Sequence, residues 1–345
     1  MLLQNFQPQP KLVTRSTLVE KPRFPVIDAH NHLDEPFGGG WINRPLDEIL
    51  DGLEQSGVVG YVDLDGGWGE DILNRHLQTL APAADKFRIF GGVDWSKWPE
   101  LGDGFPDYAA KRLRAQKERG AFGLKIWKPL GLHVRDQHGE LVKVDDPRLD
   151  PIWQTAGELG MPVLAHVADP VAFFDPIDET NERWEELGNH PEWAFTSPPF
   201  PPFMSILSSF KNLVHRHPST TFIGAHVGCY AENLGFVAAM LDDCPNYYVD
   251  ISARIGELGR QPYTARRFFM QYPDRILFGL DEGIRRDSYR LSYRFFETDD
   301  EYFNYNLSTV PAQGRWYVSG LYLPDDVLKK FYYENAAKLL KFPPL

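Results

Sequence analysis

Apolar runs of strand length alternate with stretches of helical spacing along almost the whole chain. The strand-like runs are PVIDAH (25–30), VGYVDLDG (59–66), FRIFGGVDW (87–95), AFGLKIW (121–127), MPVLAHV (161–167), TFIGAHVG (221–228), YYVDIS (247–252) and ILFGLDEG (276–283). Each is followed by a stretch with apolar residues every three or four positions, except the last, where residues 324–341 supply a closing helix. Strands that alternate with helices form parallel βαβ units, and eight such units are typical of a (β/α)8 TIM barrel. We therefore predict an α/β fold, with an N-terminal extension at 1–23 and one barrel domain at 24–345.

Two segments are too long for ordinary connections: residues 168–204 after the fifth strand and 283–323 after the eighth. Both are rich in aromatic residues and prolines, which argues against disorder. Because both follow the carboxyl ends of strands, we predict that they are lid loops over the same mouth of the barrel.

Histidines and one aspartate stand at the ends of four predicted strands. His30 and His32 follow the first strand, and because residues two apart on a strand face the same way, both imidazoles can reach one ion. His166, His226 and Asp281 end the fifth, sixth and eighth strands. A single histidine in an apolar strand is more often a hydrogen-bonded core residue. Five such residues at strand ends of one barrel predict a metal site.

Other histidines show a different pattern. His215 and His217 end a helical stretch before Pro218, so we interpret this pair as structural. His76 lies in an amphipathic helical stretch and is predicted to be at the surface.

Composition excludes several classes of function. The chain has 345 residues, with 36 Lys plus Arg against 48 Asp plus Glu and a formal net charge of −12. This balance argues against a nucleic-acid partner. Only Cys229 and Cys244 occur, outside any C-x-x-C pair, and we interpret Cys229 as a packing residue. The first residues lack an apolar signal segment and no run of about 18 apolar residues follows, so we expect no membrane span and a cytoplasmic location.

The strand-end motifs DAHNHLDE, GLKIW, AHVG and RILFGLDEG resemble the amidohydrolase superfamily. They are most similar to its amidohydrolase-related branch, which contains aminocarboxymuconate-semialdehyde decarboxylase, γ-resorcylate decarboxylase and several hydrolases. The resemblance implies that His30, His32, His166 and Asp281 bind one divalent ion, commonly zinc, with manganese or iron as alternatives. It also implies that His226 stands beside the ion as an acid/base or polarising group, and that the chain can form a homodimer.

Lys125 on the fourth strand has two interpretations. In binuclear amidohydrolases a lysine at this place is carbamylated and bridges two ions, which would recruit His166 and His226 to the second one. The decarboxylase-like members lack this bridge. The alternative is an ammonium group that binds a substrate carboxylate or pairs with Asp94 or Asp65. We favour a single ion and keep the bridged form open.

The ligand set predicts a metal-dependent hydrolase of a small ester, lactone or amide, because an ion with an open position lowers the pKa of bound water to about 7. Asp281 would take the proton from water, and His226 would stabilise the oxyanion or protonate the leaving group. The same residues fit a nonoxidative decarboxylase of an aromatic or unsaturated carboxylic acid. A barrel that binds a ligand without turnover is a third hypothesis.

Four further residues are candidates for substrate contact: Arg254, Asp250, Trp41 and Arg183. Arginine forks suit an anionic substrate, although a structural pairing of Asp250 with an arginine is equally open. Aromatic residues make up 14% of the chain, which favours a flat or apolar small-molecule substrate.

Overall fold

The computed structural model describes residues 5–6 and 8–344, and within them eight parallel strands pair in sequence order. The strands are β1 Val26–Asn31, β2 Val58–Asp63, β3 Phe87–Gly91, β4 Gly123–Ile126, β5 Val163–Ala165, β6 Phe222–Gly224, β7 Tyr247–Asp250 and β8 Ile276–Leu277. The amide of Ala29 donates to the carbonyl of Phe278 at 2.8 Å, which joins β1 to β8. The predicted (β/α)8 barrel is confirmed.

The α-helices of five or more residues cover the barrel between the strands and after the last strand. They are α1 Leu46–Ser56, α2 Glu70–Leu80, α3 Phe105–Arg119, α4 Asp150–Glu158, α5 Trp184–Asn189, α6 Phe203–Arg216, α7 Leu234–Asp243, α8 Ile255–Arg260, α9 Pro262–Gln271, α10 Arg286–Glu297, α11 Asp325–Lys329 and α12 Asn335–Leu340. A π-helical segment, Lys330–Glu334, joins the last two. No helix in the described part of the chain is long and apolar enough to cross a membrane.

The barrel interior is apolar at its lower end and polar at its upper end. Ile27, Leu164 and Ile223 belong to a buried cluster inside the strands, and Leu340 and Phe342 from the C-terminal segment pack into the same cluster. The C-terminal segment therefore closes the amino-terminal end of the barrel. Polar side chains that point inward are left at the carboxyl ends of the strands, where barrel enzymes place their active sites.

A β-bulge in β1 aims the two histidines at the mouth. Asp28 and Asn31 on β1 pair with Tyr61 and Asp63 on β2, so three steps on one strand match two on the other. The extra residue shifts the inward and outward alternation. Ala29 can therefore pack inside the barrel while His30 also faces the centre.

The two long segments contain structure that the sequence pattern did not predict. Helix α10 lies in the second segment, and it buries Tyr289, Tyr293 and Phe296. Charged residues interleave with this apolar stripe, so the segment looks like a polar loop in sequence. The two segments meet where Arg315 donates to Glu185 at 2.6 Å.

Candidate metal centre

Two imidazoles and a carboxylate form a compact group at the mouth of the barrel. Ligand atoms of His30, His226 and Asp281 all lie within 4.8 Å of one another. His32 adjoins this group, with its Nε2 3.1 Å from Oδ1 of Asp281. The three histidine side chains are almost fully buried, whereas that of Asp281 is 20% exposed. The structure therefore brings these four predicted strand-end residues together, and the fifth, His166, adjoins His226.

Each of these imidazoles is oriented by a hydrogen bond on the side away from the centre. Nδ1 bonds an oxygen in every case: His30 to Asp250 (2.8 Å), His32 to Asp65 (2.6 Å) and His226 to the carbonyl of Ser252 (2.9 Å). If Nδ1 carries the proton, Nε2 presents a lone pair to the centre, which is the arrangement that orients histidine ligands of metals. Imidazole nitrogen with a carboxylate oxygen suits zinc, manganese and iron. The donor set thus fits a divalent ion.

Left-handed backbone conformations occur at two of these residues. His226 has φ 57° and Asp281 has φ 65°, values that are costly for residues other than glycine. The backbone of Asp281 is held by its amide, which donates to the carbonyl of His30 at 3.0 Å. Gly279 permits this approach, since a Cβ there would lie 2.8 Å from Cβ of His30. The fold holds these two side chains in place at some cost in backbone strain.

The charges at the centre reinforce one another. Burial raises the pKa of Asp281, but His30 and His32 lower it by more. The pKa of this carboxyl therefore lies well below its usual value, and the group is ionised. Burial opposes charge on His32, yet hydrogen bonds to Asp281 and Asp65 raise the pKa of that imidazole to about 9. Burial lowers the pKa of His226, and His166 and Arg254 lower it further. His226 is therefore a neutral imidazole beside an ionised carboxylate.

His166 lies next to this group, with a hydrogen-bond partner of its own. Its Nε2 hydrogen bonds Asp169 at 3.2 Å, and Asp169 also pairs with Lys128. Its ring lies edge-on to His226, with centroids 4.4 Å apart. Burial lowers the pKa of His166 to about 4 against the opposing effect of Asp169. The compact group includes His226 rather than His166, so metal ligation by His166 stays a prediction.

Lys125 reaches the centre from β4. Its side chain is 1% exposed, and Nζ lies 3.3 Å from Nε2 of His30. Among the described residues, no carboxylate oxygen lies within 4.0 Å of this ammonium group, so the alternative in which Lys125 pairs with Asp94 or Asp65 is wrong. Asp94 instead accepts a hydrogen bond from the amide of Ser96, and Asp65 bonds the imidazole of His32. Burial lowers the pKa of Lys125 to about 8, although Asp281 and Asp250 oppose the change.

Three other candidates have partners of their own. Asp250 contacts His30 and Ser252 rather than an arginine, so it orients the centre instead of forming the structural pair considered above. Arg183 is buried and forms ion pairs with two carboxylates, Glu186 at 2.6 Å and Glu257. The guanidinium carbon of Arg44 lies 4.0 Å from the ring centroid of Trp41, and the same ring packs against Gly52 in α1. The fourth candidate, Arg254, is buried beside the centre.

One prediction from the sequence is wrong near the centre, and one feature there was not predicted. The prediction of a surface position for His76 is wrong, because α2 buries it completely and its Nδ1 lies 2.5 Å from Asp63. Phe37 and Trp127 stack at 5.8 Å, and Trp127 lies 5.2 Å from the ring of His32. This aromatic wall was invisible because its two residues come from different loops.

Comparison with known proteins agrees with this fold. The family model described as Amidohydrolase matches residues 27–342. A comparison with curated proteins finds no significant match. Among solved structures, 2,6-dihydroxybenzoate decarboxylase complexed with 2,6-dihydroxybenzoate has 16% identity and a TM-score of 0.56, covering 92% of this chain and 98% of that one.

Two further structures contain metal ions. A dihydroxybenzoic acid decarboxylase from Polaromonas with bound manganese and the inhibitor 2-nitroresorcinol has 16% identity and a TM-score of 0.50, covering 87% of this chain and 86% of that one. An amidohydrolase from Burkholderia multivorans with bound zinc has 14% identity and a TM-score of 0.51, covering 93% of this chain and 100% of that one. At these identities the likeness shows a shared fold. Because the family match spans nearly the whole barrel, the chain belongs to the amidohydrolase family.

Proposed function

We propose that this protein is a metal-dependent hydrolase of a small organic ester, lactone or amide. The two oxygens of Asp281 carry the proposal, because they face different partners. Oδ1 lies 3.1 Å from Nε2 of His32 and 3.7 Å from Nε2 of His30, whereas Oδ2 lies 3.7 Å from Nε2 of His226. One oxygen can help to hold an ion while the other accepts a proton and passes it on.

The residues divide the chemistry between them. His30, His32 and Asp281 would hold a divalent ion, with zinc as the first choice and manganese or iron as alternatives. Such an ion supplies Lewis-acid polarisation of a carbonyl and a more acidic bound water. Asp281 accepts the proton of the attacking water through Oδ2 and delivers it to the leaving group. His226, held neutral by burial and bonded through Nδ1 to the carbonyl of Ser252, faces the centre with Nε2 as an acceptor, so it would donate to the leaving group only after it has taken up the proton that Asp281 accepts from water.

A nonoxidative decarboxylase is the second candidate, and Lys125 favours it. A buried ammonium group without a carboxylate within 4.0 Å, among the described residues, suits a substrate that brings its own carboxylate to the centre. The Phe37–Trp127 wall would pack on a flat ring. In this reaction His226 or Asp281 would take up a proton from water and deliver it to the ring carbon as carbon dioxide leaves, and the carbon dioxide would combine with the hydroxide that remains.

Isotope labelling separates the two reactions. The metal-loaded chain is incubated with lactones, esters, amides and aromatic carboxylic acids in H₂¹⁸O or in D₂O. Hydrolysis places ¹⁸O in the product acid, whereas decarboxylation releases carbon dioxide and places deuterium on carbon. We expect ¹⁸O incorporation that is lost in Asp281→Asn and kept in Asp274→Asn, which changes a surface carboxylate paired with Lys330. Metal analysis of the same samples should find one ion per chain in the wild type. A fully metallated chain that converts none of these compounds contradicts both proposals.

A further inference from the structure

Arg254 is a buried cation that lacks a close anion. It lies between β7 and α8, its side chain is 5% exposed, and its guanidinium donates one hydrogen bond, from Nη1 to the carbonyl of Ala253 at 2.8 Å. Among residues 5–6 and 8–344, no carboxylate oxygen lies within 4.0 Å of it. Arg183, also buried, has two such carboxylate partners. The contrast shows that, of the two buried arginines in the described part of the chain, the fold pairs one with carboxylates and leaves the other without such a partner.

The guanidinium of Arg254 lies beside the metal centre. Ser252, two residues earlier, lies behind the ligands, where its hydroxyl contacts Nδ1 of both His30 and His226 at 3.0 Å. After burial and His166, the charge of Arg254 is the next largest influence that lowers the pKa of His226. Arg254 stands in the loop between the carboxyl end of β7 and α8, at the mouth of the barrel, so a ligand bound to the centre from this side would come within reach of its side chain.

Each of the two acidic residues that face Arg254 uses one oxygen elsewhere, while its Oε2 is buried without a hydrogen-bond partner. Oε1 of Glu257 accepts from Arg183, and Oε1 of Glu232 accepts from the amide of Val171 at 3.0 Å. Burial lifts the pKa of Glu232 and Glu257 adds to this rise, which Arg254 opposes only in part. Glu232 is thus the less readily ionised of the two. Neither carboxylate neutralises Arg254 at contact distance.

A buried guanidinium is costly unless it is paired and hydrogen bonded. Its planar fork matches a carboxylate with two parallel N–H···O bonds, a geometry that lysine cannot reproduce. An anion supplied by the ligand would satisfy both the charge and the free donors of Arg254.

We propose that Arg254 is a specificity-determining residue that binds a carboxylate of the substrate, so that the site accepts small organic acids and rejects their neutral amides. The inference rests on the proposed function, since that carboxylate belongs to the molecule converted at the metal centre. It holds for an acid that carries a hydrolysable bond and for an acid that is decarboxylated.

Ligand binding without turnover tests the proposal. Calorimetry on the metal-loaded full chain compares benzoate with benzamide, which have the same shape and differ in charge; a benzene ring suits the Phe37–Trp127 wall. We expect the wild type to prefer benzoate by about tenfold or more. Arg254→Met should remove this preference, and Arg254→Lys should keep part of it. Arg260→Met is the matched control, since Arg260 lies on α8 but pairs with Glu182, and it should leave the preference intact.

Either of two results overturns the proposal. Equal affinity of the wild type for benzoate and benzamide means that no cation in the site selects an acid. A benzoate preference that survives in Arg254→Met, with unchanged melting temperature and metal content, assigns anion binding to the ion or to Lys125. If Arg254→Met fails to fold, Arg254→Lys decides, because loss of the fork should still reduce the preference severalfold. The binding assay needs no catalysis, so a chain that binds benzoate through Arg254 but converts no substrate would refute the proposed function alone.

Discussion

The two sides of the metal centre are built on different principles. On the side formed by β1, β7 and β8, His30 is fixed through Nδ1 by Asp250, and His226 by the carbonyl of Ser252. On the side formed by β4 and β5, Lys125 has no carboxylate within 4.0 Å in the described chain, and His166 turns toward Asp169. The first side is organised before anything binds, whereas the second has polar groups that a ligand could still engage.

This difference has a chemical meaning. Ligands of a metal must be held in one orientation with the correct nitrogen free, and hydrogen bonds behind the ligands provide that. Groups that recognise a substrate need free donors until the substrate arrives. We therefore expect changes to the ligands and to the groups that orient them on β1, β7 and β8 to act on metal affinity, and changes to the cations without a carboxylate partner, Lys125 on β4 and Arg254 after β7, to act on substrate binding and conversion.

The largest effect should come from His30→Ala. Loss of a hydrogen-bond partner behind a metal ligand costs up to about 100-fold in activity. Loss of the ligand itself should lower activity by more than this and should also reduce the metal content. Metal analysis after dialysis against a chelator, with activity after metal is restored, measures both. The control is His217→Ala, since His217 pairs with Asp150 away from the centre and should keep its metal. Full metal content in His30→Ala would remove β1 from the site.

The next largest effect should come from Asp250→Asn. The substitution keeps the shape but removes the charge that holds His30 at 2.8 Å and accepts from the amide of His226 at 3.1 Å. We expect metal affinity to fall by about 10- to 100-fold, measured by competition with a fluorescent chelator. Asp150→Asn, which breaks a similar carboxylate–histidine contact outside the centre, should change affinity little. Unchanged affinity in Asp250→Asn would mean that the orienting contact is dispensable.

The organised side is also the side that sequence predicts best. His30, His32, His226 and Asp281 were identifiable because each ends a strand, and parallel strands of a barrel bring their carboxyl ends to one mouth. The fold was predictable for a related reason: strand and helix periodicity is local. Both inferences need only the neighbouring residues along the chain.

The remainder of the site depends on side-chain directions that the strand pattern leaves open. In the sequence, Asp65 and Asp250 are carboxylates at strand ends. Only the three-dimensional structure shows that Asp65 bonds His32 and that Asp250 bonds His30. His166 has the same strand-end signature as His226, but its Nε2 bonds Asp169, a carboxylate that also pairs with Lys128. Asp65 and Asp250 carry one signal in the sequence: both are carboxylates at strand ends next to predicted histidine ligands.

A third prediction tests the β4 side. Lys125→Met should keep the metal but reduce substrate conversion by about 10- to 100-fold, because a charge-assisted hydrogen bond to the substrate is lost. Metal content and the ratio kcat/KM for an anionic substrate are the measurements. Lys117→Met is the control, since Lys117 lies over the ring of Phe122 away from the centre. If Lys125→Met loses metal, Lys125 belongs with the ligands, as a carbamate bridge would require, and the contrast between the two sides fails.

The smallest effect should come from Ser252→Ala, which probes how far the organisation extends behind the ligands. The Ser252 hydroxyl donates to Asp250 at 2.6 Å and also lies 3.0 Å from Nδ1 of His30 and of His226. In the variant each imidazole keeps its shorter Nδ1 bond, His30 to Asp250 and His226 to the carbonyl of residue 252. One buried hydrogen bond is worth about 1 kcal/mol, so metal affinity should fall only about fivefold. Ser292→Ala removes a buried hydroxyl that donates to Ser288, outside the centre, and should leave affinity unchanged. A loss as large as that of Asp250→Asn would mean that Asp250 cannot hold His30 without the serine, and the organised side would then have to be redefined to include Ser252.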